Sequence, residues 1–127
     1  MKKTQQPAGR YIIEMYRAYE AAGQPDKKEI IKQLEHLKPE QKNEKACLMD
    51  LLAIADVMQR LEEEGRTDVK EVVQDTYMSL NNEWHRGAIT DAVKRVTIKY
   101  YMGEATVYRL LKIARVMAAE ERGLRIY

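Results

Sequence analysis

GAITDAVKRVTIKYYMGEATVYRLLKIAR, residues 87–115, is the stretch whose reading decides the fold. Ile89, Val93, Val96 and Tyr100 recur at helical spacing, as do Val107, Leu110, Leu111 and Ala114, with only Tyr101, Met102 and Gly103 between the two sets. Each set forms one face of a helix. The segment VTIKYYM, 96–102, is β-branched and aromatic enough to be a strand on propensity alone. The three- and four-residue spacing runs through it unbroken from Ile89, so the pattern predicts helix. Two short amphipathic helices joined by so tight a turn predict a helix-turn-helix, with the second helix presented to the major groove of DNA.

Upstream, the chain reads as helices that support this pair. Residues 1–9 are polar, with Pro7 and Gly9, and predict a disordered start. Ile12, Met15, Tyr16 and Tyr19 predict a helix from Arg10 to about Ala22, ended by Gly23. Ile30, Ile31, Leu34 and Leu37 mark a second helix that stops before Pro39, with His36 on its solvated side. Cys47, Leu48, Leu51, Ile54, Ala55, Met58 and Leu61 form a stripe through a helix over 40–64, roughly 37 Å long. Cys47 is therefore expected as a small core residue. Glu62, Glu63 and Glu64 crowd the end of that helix, where its dipole disfavours anions. Thr67 or Asp68 caps a helix buried through Val69, Val72, Val73, Tyr77 and Leu80, and Asn81-Asn82 breaks it. Trp84 is expected to plug a seam between helices, and Thr90-Asp91 to cap the helix after it.

The expected fold is all-α, a helical bundle with a C-terminal helix-turn-helix. It divides into a disordered 1–9, a supporting region 10–65 and a DNA-binding region 66–127. The chain has 127 residues, 45% of them hydrophobic and 33% charged, which suits an ordinary globular domain. No apolar run is long enough to span a bilayer, and no apolar segment follows the N-terminal lysines as in a signal peptide. A single cysteine fits a reducing compartment, so a cytoplasmic location without membrane partners is expected.

Net charge is +2, but its distribution is uneven. Residues 1–84 hold 13 Lys and Arg against 16 Asp and Glu, while residues 85–127 hold 9 against 4. An acidic support carrying a basic end favours a polyanionic partner, because neutralised phosphates release counterions. Enzymatic chemistry finds no footing. His85 and Cys47 have no nucleophile, base or ligand spaced to assist them, so no catalytic residue, metal or cofactor is expected.

A DNA-reading helix pair needs a small residue in the first helix, a turn residue tolerant of positive φ, and a cap before the second helix. Thr97, Tyr101 and Gly103 occupy those places. Met102-Gly103-Glu104-Ala105-Thr106-Val107-Tyr108-Arg109, with the tail Ala114 to Leu124, resembles the phage-encoded late-gene and autolysin regulators of the RinA/ArpU type. Their C-terminal unit is similar to the promoter-reading region of sigma factors. The resemblance covers about residues 55–124 and is most specific over the last twenty. It implies a cytoplasmic transcriptional regulator encoded by a phage or prophage. The chain departs from that pattern at Tyr101, where glycine or a small polar residue is usual, and at Gly103, where serine usually caps.

Position assigns the roles. Glu104, Ala105, Tyr108 and Arg109 are the expected base contacts, with Arg109 suited to guanine O6/N7 and Glu104 to a cytosine amine. Arg86, Lys94, Arg95, Lys99, Lys112 and Arg115 are the expected phosphate contacts. The expected partner is double-stranded DNA, with host RNA polymerase and a homo-oligomer as further possibilities. Two other readings use the same features. One is a small terminase subunit that reads a packaging site and assembles through the 40–64 helix. The other is a helical adaptor that binds polymerase and never touches bases.

Overall fold

A computed structural model describes residues 5–81 and 84–124, with the side chains of 5–8 left aside. Among the described residues the chain is all helical and contains no strand. The elements are α1 (Gln5–Ala21), α2 (Lys27–Glu35), α3 (Lys42–Glu63), α4 (Thr67–Asp75), a 3-10 turn (Tyr77–Ser79), α5 (Arg86–Tyr100) and α6 (Glu104–Arg122). The segment 96–102, strand-prone by composition, is helical to Tyr100 and then turns. Periodicity prevails over propensity there because Val93 and Val96 are fully withdrawn from solvent.

Several boundaries move. α1 begins at Gln5, ahead of the expected Arg10, and Pro7 falls in its first turn, where no N–H is required. The expected disorder of 1–4 lies outside the described residues. α4 ends at Asp75 instead of Leu80, and the chain tightens into the 3-10 turn, which still buries Tyr77 and Met78. Thr76 drives that change, since its Oγ1 donates to the Val72 carbonyl from a fully buried position. Asn81 follows the 3-10 turn, while Asn82, the rest of the expected break, is outside the described residues. α5 starts at Arg86, with His85 as N-cap, a full turn before the expected cap at Thr90-Asp91.

α1, α3, α4 and α6 enclose one core. Ile12, Tyr16, Ile54, Val57, Leu61, Val69, Val72, Leu111 and Ala114 are each fully or almost fully buried in it. Packing of this kind supplies most of the free energy of folding, roughly 1.5–3 kcal/mol for each large side chain withdrawn from water. The supporting helices and the α5–α6 pair thus share a single hydrophobic interior. Tyr16 ties them further, its hydroxyl donating to the Ala114 carbonyl at 2.7 Å. α3, about 33 Å long, packs against α1, α2, α4 and α6, and its stripe is buried from Ala53 to Leu61.

Cys47 corrects its expectation: it is exposed. The first turns of α3 lie beside the end of α2, where Leu48 is only partly buried against the core. There Cys47 lines an open groove with Gln33, His36, Leu37 and Leu48. The acidic end of α3 finds internal partners instead of frayed backbone. Glu62 pairs with Lys70 of α4 at 2.7 Å, and Glu64 with Arg60 at 3.8 Å. Trp84 does plug a seam. It is buried, its Nε1–H donates to Glu14 of α1 at 2.5 Å, and the Arg10 guanidinium lies 4.2 Å above its ring.

Candidate nucleic-acid interface

α5 and α6 are joined by Tyr101, Met102 and Gly103. Tyr101 adopts the left-handed conformation, φ 56° and ψ 47°, and the Met102 N–H donates to the Thr97 carbonyl at 3.1 Å. This five-residue-back bond closes the end of α5. Gly103 is extended and serves as N-cap of α6 without a side-chain bond. Thr97 is half-buried and its Oγ1 donates back to the Lys94 carbonyl at 2.6 Å. Tyr101 thus takes the positive φ expected of the turn residue, and Gly103 the expected cap position.

α6 changes character along its length. Val107, Leu110, Leu111 and Ala114 are buried, and from Ile113 onward the helix runs into the bundle beside α1, α3 and α4. Before that point Glu104, Ala105, Tyr108, Arg109 and Lys112 are all exposed. Their spacing places them on one side of the helix. All four residues expected to contact bases thus share one solvent-facing surface at the N-terminal half of α6. Glu104 also sits where the helix dipole favours a carboxylate.

The expected phosphate contacts separate into three groups. Arg86, Lys94, Arg95 and Lys112 are exposed and have no ion partner among the described residues. Lys99 is exposed but occupied: its Nζ lies 3.0 Å from Asp75 Oδ2. Burial alone would raise the Asp75 carboxyl, but hydrogen bonds from Tyr100 and Lys99 outweigh it and hold its pKa below the usual value. Arg115 is engaged by a neutral partner. It is half-buried, and its Nη1 donates to the Tyr77 hydroxyl at 2.8 Å, beside the Tyr16 ring. Its placement fits a core-sealing role better than a phosphate contact.

A further basic side chain at this end, Arg122, is also engaged. Arg122 Nε donates to Asp50 at 2.7 Å, and Asp50 accepts in addition from Tyr11. The exposed cations of α5 and α6 without an ion partner among the described residues are consequently Arg86, Lys94, Arg95, Arg109 and Lys112. Only two acidic residues, Asp91 and Glu104, lie in 86–112. This concentration is sharper than the sequence alone conveyed.

Two features were missed. Asp75 carries no local signal, because its partners lie on another helix. Ile98 stands two positions beyond Val96, off the apolar stripe, and is 76% exposed next to Tyr101 at 95%. Its departure from the period was visible in the sequence. Among the described residues no cluster of histidine, cysteine and carboxylate side chains is placed to hold a metal ion. No described helix is long and apolar enough to cross a membrane. Comparison with known proteins finds no matching family model, no matching curated protein and no matching solved structure.

Proposed function

We propose that this chain is a sequence-specific DNA-binding transcriptional regulator, of the phage late-gene class that residues 102–124 resemble, acting in the cytoplasm. The observation that carries the proposal is the exposed polar side of one helix beside a concentration of unpaired cations in the same helix pair. The N-terminal half of α6 exposes Glu104, Ala105, Tyr108, Arg109 and Lys112 on one side. The unpaired cations of the basic end lie on the same helix or on α5 before it. A helix of that kind enters the major groove, where Arg109 reads a guanine and Glu104 a cytosine amine, with Ala105 and Tyr108 making apolar and hydroxyl contacts. Arg86, Lys94, Arg95 and Lys112 fix its register on the phosphates.

Selection from a random-core duplex library, followed by footprinting of the enriched site, tests the proposal. Affinity is expected to fall steeply as salt rises from low to moderate concentration. Arg109→Ala should weaken the selected site by about 1–3 kcal/mol and relax preference at one base pair. Lys112→Ala should weaken all duplexes alike and reduce the salt slope by about one. Recovery of no enriched site, or unchanged affinity in both variants, would overturn the assignment.

A further inference from the structure

Asp75 closes α4, a position where the carbonyl end of a helix disfavours a carboxylate. Its side chain reaches across to α5, accepting from Lys99 Nζ at 3.0 Å and from the Tyr100 hydroxyl at 2.5 Å. With Ser79, Arg95, Val96 and Lys99 it lines a cavity of about 310 Å³ between the two helices. The Ser79 hydroxyl is turned to the Asp75 and Thr76 carbonyls and does not offer its proton to that cavity. Two cations of α5, the helix that precedes the proposed reading helix, therefore share a cavity with a carboxylate. Arg95 has no ion partner among the described residues, whereas Lys99 has one.

We infer that this cavity seats one phosphate of the DNA backbone, and that Asp75 occupies Lys99 as an internal counterion, so the protein binds DNA more weakly than its cations allow. The inference rests on the DNA-binding reading. A phosphate approaching Arg95 meets Asp75 on the wall of the same cavity, and like charges at that range repel. Lys99 must also exchange one anion for another. It then releases no bound counterion on binding and adds little to the salt dependence. Asp75→Asn removes the charge while keeping a side-chain oxygen for the Tyr100 hydroxyl, so the contact between α4 and α5 survives.

The test is a double-mutant cycle on a selected duplex, with affinity read by fluorescence anisotropy across a salt titration. Asp75→Asn should tighten binding about five-fold near 0.15 M salt and steepen the salt slope by about 0.9, the signature of one added phosphate contact. Lys99→Ala should change wild-type affinity less than about two-fold, yet remove most of the gain and the added salt slope when combined with Asp75→Asn. Thermal melts of each variant confirm that it is folded. If Asp75→Asn binds no better, or Lys99→Ala costs as much alone as in the double variant, Asp75 is not a counterion that masks Lys99. Failure of the wild type to bind any duplex at low salt overturns the DNA-binding reading itself, and this inference with it.

Discussion

Tyr101 sets the terms at the scale of single residues. Three other helices end with a glycine at positive φ, Gly23, Gly65 and Gly123, and each is followed by the same five-residue-back hydrogen bond. α5 ends in that geometry with a tyrosine, whose Cβ crowds the left-handed backbone at a cost of roughly 1–2 kcal/mol. The ring recovers little by burial, since it is 95% exposed. Tyr101→Gly relieves the strain but also loosens the unfolded chain by roughly 0.5–1 kcal/mol, so a small net stabilisation is expected. Tyr101→Val, β-branched, should lose about 1 kcal/mol or more. Melting midpoints in the order Gly, Tyr, Val check this, and a clear loss on Tyr101→Gly would mean the ring makes a contact worth more than the strain. Positive φ at Tyr101 was legible because helix spacing stopped at Tyr100 and resumed at Val107. The engagement of Arg115 was not. Tyr77 lies 38 residues away, and no local pattern reports such a partner.

At the scale of elements, apolar spacing located every helix because each buries one face, and it erred where a tertiary partner set the limit. Cys47 fits the α3 stripe by period, yet the core has ended by that turn, and periodicity does not say how far a neighbouring helix extends. The start of α5 was misplaced for the converse reason. Trp84 pins the chain to α1 and lets the helix begin at Arg86 without a side-chain cap. The link between α4 and α5 carries its own prediction. The Asp75 carboxyl is held below its usual pKa in the folded protein, so the stability it contributes is complete above the ordinary carboxylate range. That contribution is lost as pH falls from about 4 through the depressed value. Asp68, lowered by Arg66 and by the Val69 N–H, acts in the same sense. Denaturant unfolding between neutral pH and pH 2 should therefore show an acid limb that Asp75→Asn makes shallower. An unchanged limb would assign the acid sensitivity elsewhere.

The whole molecule joins an acidic support to a basic surface through one interior, and that union governs how the proposed DNA-binding end is held. α6 belongs to both parts: its outer side offers Arg109 and Lys112 to solvent, and its inner side inserts Leu111, Ala114 and Ala118 into the interior shared with α1, α3 and α4. Arg60 and Arg122 add ion pairs from α3 to α6 and back, Arg60 to Glu121 at 3.0 Å and Arg122 to Asp50 at 2.7 Å. Exposed pairs of this kind are worth little singly, so the apolar interior must supply the cohesion. Cohesion through a shared core implies that the supporting helices and the α5–α6 pair cannot melt separately. Trp84, the single tryptophan, lies at the junction of α1 and α5 and reports on that seam, while helical circular dichroism reports on the whole chain. The two signals should give coincident transitions, in wild type and in Leu111→Ala alike. Leu111 is fully buried, so its truncation should cost about 2–5 kcal/mol and move both signals together. A Trp84 transition that separates from the loss of helix would show that the α5–α6 pair docks on the support as an independent unit. The reading surface would then be free to reorient, and the rigid presentation of Arg109 and Lys112 assumed for major-groove binding would fail with it.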